Sequence, residues 1–212
     1  MTLKISNLLK LICLCIYAWF CWLMLQITLQ YSSFNTDVAF LRIKQEYTSL
    51  LYYRIAFFIH VFSAILVLLA GFTQFFSIVR KKFPALHVLS GRVYVFVVLL
   101  LAAPSGLVIG IYANGGILSR VAFCMLAILW WWFTFKGFNA ARNKNVFAHR
   151  SFMIRSFALA LSAITLRAWK YLIVFLFHPK PMDAYRIVAW LGWTLNLLIA
   201  EIIIYKFLKN KK

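Results

Sequence analysis

Acidic residues are almost absent. Asp37, Glu46, Asp183 and Glu201 are the only four in 212 residues, against 23 Lys and Arg, and the formal net charge is +19. In a soluble chain that balance points to nucleic acid. Here charged residues make up only 13% of the chain, about half the share in soluble domains. The basic residues stand in short clusters between apolar runs, so nucleic acid is excluded as a partner. Cysteine is sparse too: Cys13, Cys15, Cys21 and Cys124 form no CxxC pair and none sits at metal-ligand spacing from a histidine. No disulfide framework follows. Nucleotide-binding, nucleophile-elbow and metalloprotease motifs are missing. Alternating ten-residue segments are missing as well, which excludes a strand barrel.

What is present is apolar: 65% of the residues are hydrophobic, more than a soluble core can hide. A helical span needs about 20 apolar residues. Six runs meet that need, at roughly 9–30, 53–78, 91–112, 119–136, 153–176 and 187–207. The fold expected is an all-α, polytopic transmembrane bundle of about six spans, a single domain over 1–212 with the lipid bilayer as its surroundings. No linker or internal repeat divides it. The first run is too long for a signal-peptide core and lacks a small-x-small site before Gln30, so it reads as an uncleaved span.

Charge sets the orientation. With the N-terminus inside, the cytoplasmic segments carry Lys4, Lys10, Arg80, Lys81, Lys82, Arg92, Lys136, Arg142, Lys144, Arg150, Lys206, Lys209, Lys211 and Lys212, and no acid. The other side carries Arg42, Lys44, Arg54, Arg120, Lys180 and Arg186, partly offset by Asp37, Glu46 and Asp183. Basic loops stay in the cytoplasm, so both termini are expected there, in a bacterial inner membrane. Outside, residues 31–52 carry Phe34, Val38 and Leu41 at helical spacing and predict a short interfacial helix. Asn114-Gly115-Gly116 and His178-Pro179-Lys180-Pro181 predict tight turns.

Polar groups inside spans carry the candidate chemistry, since a central Arg or Lys costs about 2.5–3.5 kcal/mol on insertion scales. In the second span His60, Ser63, Ala64, Val67, Gly71 and Gln74 share one face. That face reads either as small-residue packing or as the wall of a ligand cavity, with His60 and Gln74 as weak metal ligands. In the third, Ala102, Gly106 and Gly110 stand at small-xxx-small spacing around Pro104, a close contact with a kink. His87 and His149 each precede a span at the inner face, with Arg92 and Arg150 following, and could hold a b-type haem, a metal or a quinone. His60 is about 28 Å from Val79 along its helix, too far to join them at one metal. Arg155 and Glu201 have matching depths and predict a buried ion pair. Asn196 predicts an interhelical hydrogen bond. Arg167 and Lys170 are expected to snorkel outward.

The strings IHVFSAILVLLAGFTQF, LHVLSGRVYV, LAAPSGLVIGIYANGG, HRSFMIRSFALALSAITLRAW and WLGWTLNLLIAE together resemble an uncharacterised bacterial family of multi-pass membrane proteins, domain of unknown function 2306. The resemblance covers roughly residues 50–205 and implies a membrane location without an activity. The family's recurring polar positions fall on His60, Gln74, His87, Gly91, Arg92, His149, Arg150, Arg155, Arg167, Asn196 and Glu201. A looser likeness to two-haem membrane cytochromes lacks the second pair of histidines at matched depth. Three functions stand open: an accessory or redox-associated membrane subunit, a haem or quinone protein, and a small transporter or metal-delivery protein. The cofactor is unknown, as are the oligomeric state and any membrane-complex partner.

Overall fold

The structure is a computed structural model that describes residues 5–74 and 77–209. Among the described residues every regular element is helical. Seven helices carry the architecture: α1 Ile5–Leu29, α2 Leu51–Thr73, α3 Pro84–Ile111, α4 Ile117–Arg142, α5 Val146–Ala160, α6 Ser162–Phe177 and α7 Pro181–Lys209. Five are long and apolar enough to cross a membrane, and α5 with α6, bent by 43°, is a candidate sixth, as a broken span or a re-entrant pair. Residues 75 and 76, inside the expected run 53–78, lie outside the described residues, as do Lys4, Lys211 and Lys212 of the charge count.

Several helices outrun their apolar runs because polar ends continue the helical ladder. Helix α3 starts at Pro84 rather than residue 91, since proline at the first helical turn gives up an N–H that would be unpaired there anyway. Helix α5 starts at Val146, where Asn145 Oδ1 accepts the N–H of Ala148 at 3.0 Å. The outer turn after α3 needs left-handed backbone at Gly115 (φ +83°) and Gly116 (φ +78°), and Arg186 Nε donates to the carbonyl of Gly115 at 2.9 Å.

The bundle centre is built from Val67, Tyr94, Val98, Ala102, Trp130, Leu159 and Trp193. Hydroxyls join three helices there. Tyr94 Oη lies 2.8 Å from Ser156 Oγ, which lies 2.7 Å from Thr134 Oγ1, and Trp130 Nε1 donates to Tyr94 Oη at 3.4 Å. In hydrocarbon such groups hold helices together where apolar burial adds little. Large apolar side chains such as Leu66, Leu69, Leu100 and Ile128 point outward, as a lipid-facing surface requires.

The outer segment differs from the single interfacial helix expected. It folds as a 3-10 turn over Ala39–Lys44 followed by the one-turn helix Gln45–Thr48. Leu41 is fully buried and packs with Tyr31, Tyr53, Phe57 and Val38. Phe34 turns back through positive φ (54°), and its ring reaches Phe58 and Phe62 at 5.1 and 5.7 Å. Aromatic packing against α2 therefore holds the segment on the bundle.

Candidate functional site

Helix α3 carries a wide turn at Val98–Ala102, in which the N–H of Ala103 reaches back five residues to Val98 O. Pro104 explains it. With no N–H it cannot continue the ladder, so the carbonyl of Leu99 loses its backbone donor and instead accepts Trp131 Nε1 at 3.2 Å. Such turns recur at functional sites. Beside this one, Ala102 O accepts His60 Nδ1–H at 2.9 Å. A carbonyl only accepts, so Nδ1 carries a proton, and in the neutral imidazole Nε2 keeps its lone pair. Gly106 makes room for the ring: a Cβ there would stand 3.0 Å from His60 Cε1 and 3.1 Å from Nδ1.

His60 lines a cavity of about 390 Å³ in the half of the bundle that carries residues 31–52 and the turn at Gly115 and Gly116. Its wall is mostly apolar, with Val67, Ala127, Trp130 and Leu159 at the inner end, about 10 Å deeper than His60 by helical rise. Its polar wall holds Lys44, Arg167, Lys170 and the tyrosines Tyr31, Tyr53, Tyr112 and Tyr185, and no Asp or Glu. Lys44 is 2% exposed. Its ammonium donates to Tyr112 O and lies 4.9 Å from the Tyr47 ring. Burial pushes its pKa below the usual lysine range, Glu46 opposing and Arg120 adding to the shift. Arg167 is half-buried, and its Nη1 donates to Ala163 O at 2.5 Å. Its charge acts on His60. Lys170 is exposed at the rim. The outward snorkelling expected of both cations thus holds for Lys170 alone. Arg167 lies only five residues past the break between α5 and α6, and the bend keeps it in the bundle.

That break is held by side chains. Asn196 Nδ2 donates to Ala158 O at 3.0 Å and to Thr165 Oγ1 at 2.9 Å, while Thr165 Oγ1 donates to Gly192 O at 2.6 Å. An amide inserted beside the ladder is a known cause of a kink. It lets Leu159, Ala160, Ser162, Ala163, Leu166 and Arg167 present themselves to one cavity.

The remaining candidates lie elsewhere. Gln74 is 14 residues from His60, about 21 Å along the helix, and its Nε2 donates to Ser90 Oγ at 2.5 Å beneath Gly91. The structure therefore does not bring His60 and Gln74 into one site. His149 Nδ1 lies 2.9 Å from Gly137 O. His87 Nδ1 is buried and makes no hydrogen bond to the described residues. The charges that act on His87 are those of Arg80 and His149, while Arg92 is exposed and Arg150 sits one residue past His149. Among the described residues no group of three or more His, Cys, Asp or Glu comes together. Arg155 and Glu201 meet in a bidentate pair, Nε–Oε1 2.5 Å and Nη2–Oε2 2.8 Å. The pair is not buried as expected: side-chain exposure is 21% for Arg155 and 51% for Glu201. Arg155 lies against the rings of Phe133 and Phe152 on the bundle surface.

Fold and cavity together define a polytopic helical membrane protein with a charged pocket in one half. The family model described as "predicted membrane protein", domain of unknown function 2306, matches residues 57–204, and the chain belongs to that family. Neither the curated proteins nor the solved structures yield a match. Helix α1 and the outer segment precede the matched residues, so Tyr31, Lys44 and Tyr53 add a wall to a pocket whose other sides are family structure.

The sequence signals for this pocket were uneven. The shared face of His60, Ala64 and Val67 is in the pocket, and Gly71 packs against Tyr94 and Phe157 on the inner half of the same helix. Lys44 enters the sequence reading only as a loop charge, although it stands three residues past Leu41 on the stripe of Phe34, Val38 and Leu41. Nothing in the local pattern of Tyr31, Tyr112 or Tyr185 points inward.

Proposed function

We propose that the protein is a membrane-embedded binding protein that takes one small organic molecule into the outer-half cavity, as a carrier or as the ligand-holding subunit of a membrane complex. The observation that carries this reading is the cavity itself. At about 390 Å³ it lies in the range of drug-sized ligand sites, mostly apolar with a few convergent polar groups. His60 Nε2 and the hydroxyls of Tyr53 and Tyr185 make no hydrogen bond to the described residues and are free to orient a guest. Of the functions left open by the sequence, this one draws together the quinone and transporter readings and leaves metal delivery without a ligand set. The excess of Lys and Arg on the side of residues 80–92 and 136–150 supports cytoplasmic termini in a bacterial inner membrane.

The test fills the cavity. Ala163→Phe places a ring among the lining residues and removes no charged group. Native mass spectrometry of protein purified in mild detergent should show a small bound molecule on the unaltered chain and none on the variant, at similar melting temperature. The same adduct on both would reject the reading.

A second reading, an imidazole-held metal or haem at the inner face, rests on the unpartnered buried Nδ1 of His87 and its proximity to His149. A visible spectrum and elemental analysis of the purified protein decide it. Colourless, metal-free protein ends it.

A further inference from the structure

Charge balance around the cavity names the class of guest. The chain has four acids, none of which lines the cavity, and three are paired elsewhere. Asp37 pairs with Arg42 at 3.2 Å, Asp183 with Arg186 at 3.2 Å and Glu201 with Arg155 at 2.5 Å. The fourth, Glu46, stands two residues from Lys44, and its charge acts on that lysine. No carboxylate remains for Arg167, and none lines the pocket. A half-buried guanidinium, a lysine only 2% exposed and a third cation at the rim thus share one cavity whose lining holds no carboxylate, with Glu46 acting on Lys44 from outside it. Buried cations in a membrane are ordinarily paired. Here the backbone carbonyls of Ala163 and Tyr112 satisfy part of their hydrogen bonding, and among the described residues no carboxylate pairs with Arg167.

We infer that the missing partner is the guest: a single-chain amphiphilic anion, with a carboxylate or phosphate head among Lys44, Arg167 and Lys170 and an apolar tail toward Trp130 and Leu159. This rests on the cavity reading above and gives it a chemistry. The head lies on the outer side, where the three cations and the tyrosine hydroxyls stand. The guanidinium of Arg167 matches an oxyanion through two parallel N–H groups. His60 Nε2, an acceptor, receives a hydrogen bond from a guest that keeps a proton or hydroxyl. The tail enters the narrow inner end lined by Val67, Ala127, Trp130 and Leu159. A cavity of about 390 Å³ admits a drug-sized single chain. A two-chain phospholipid is far too large to enclose.

The full chain in nanodiscs of zwitterionic lipid is titrated with radiolabelled decyl phosphate, against unlabelled decanoate, decanol and decylammonium. Decyl phosphate or decanoate should bind at least tenfold tighter than decanol, and decylammonium should not compete. Whichever of the two anions binds tighter identifies the head. Arg167→Gln should bring anion affinity down to that of decanol, Arg167→Lys should restore part of it, and Lys170→Gln should weaken it less. If Arg167→Gln does not fold, Lys44→Met carries the same expectation. Decanol binding as tightly as the anions, and lost in Ala163→Phe, would overturn the anion inference and leave the cavity reading standing. Anion binding unchanged in both Ala163→Phe and the charge variants would overturn both.

Discussion

The imidazole Nδ1 of His60 lies 2.9 Å from the carbonyl oxygen of Ala102, so the wide turn of α3 fixes both the tautomer and the ring plane of the one histidine that lines the cavity. The relationship depends on three features of α3. Pro104 breaks the ladder, the wide turn shifts its register, and Gly106 leaves the ring its slot. A cavity wall and a helix irregularity are here one structure.

Gly106→Ala tests that slot. The new Cβ would meet His60 Cε1 at 3.0 Å, tighter than ordinary van der Waals contact, and the ring has to rotate or move. Overpacking of this kind costs about 1–3 kcal/mol. The expected outcome is a lower melting temperature and at least tenfold weaker guest binding. Unchanged binding would show that the His60 ring position is immaterial.

The bend between α5 and α6 predicts a coupled pair. Asn196→Leu leaves Ala158 O without its side-chain donor, and Thr165→Val removes the hydroxyl that Asn196 also contacts. Interhelical hydrogen bonds in membranes are worth about 0.6–1.7 kcal/mol. Each single variant should lose about that much in a reversible unfolding assay, and the double variant should lose less than the two together. Strict additivity would show that they act independently.

Arg155 and Glu201 give a smaller expectation than a buried pair would. With Glu201 half exposed, the coupling in a double-mutant cycle of Arg155→Gln and Glu201→Gln should fall at or below about 1 kcal/mol. A coupling of about 3–5 kcal/mol would mean that the pair is enclosed, by lipid or by a partner.

Lys44 predicts a pH dependence. Its charged form is needed to hold an anion, and burial lowers its pKa from the usual lysine value. Anion affinity therefore falls as pH rises through this depressed value, before an ordinary lysine would titrate. Glu46 works against the shift and Arg120 with it. Lys44→Met should weaken binding at neutral pH and abolish that alkaline fall. An equal fall in the variant would assign it to Lys170 or to a tyrosine.

The spans were legible because lipid imposes a minimum apolar length, and that length is written directly in the sequence. The ends of α3, α4 and α7 were less so, since polar residues continue a helix past the hydrocarbon. His60 and Val67 could be placed on one face by helical spacing alone. Arg155 could be matched with Glu201 by depth alone, but depth along a helix carries no azimuth, and the pair faces outward. Arg167 shows a different limit. From sequence it had an escape toward the outer interface, and the 43° bend at Leu161, fixed by Asn196 from another helix, turns it inward. Lys44 reaches the cavity because the outer segment folds back over α2, an outcome of aromatic packing between Phe34, Phe58 and Phe62 rather than of any local pattern.

The most direct test of the cavity as the binding site is photo-crosslinking with a decyl phosphate bearing a diazirine at the tail end, followed by peptide mapping. The label should fall on Val67, Ala127, Trp130 and Leu159, which line the inner end of the pocket. Competition with excess decyl phosphate should remove it. Label on Leu66, Leu69 and Ile128, which lie on the lipid-facing sides of the same helices, would contradict the account.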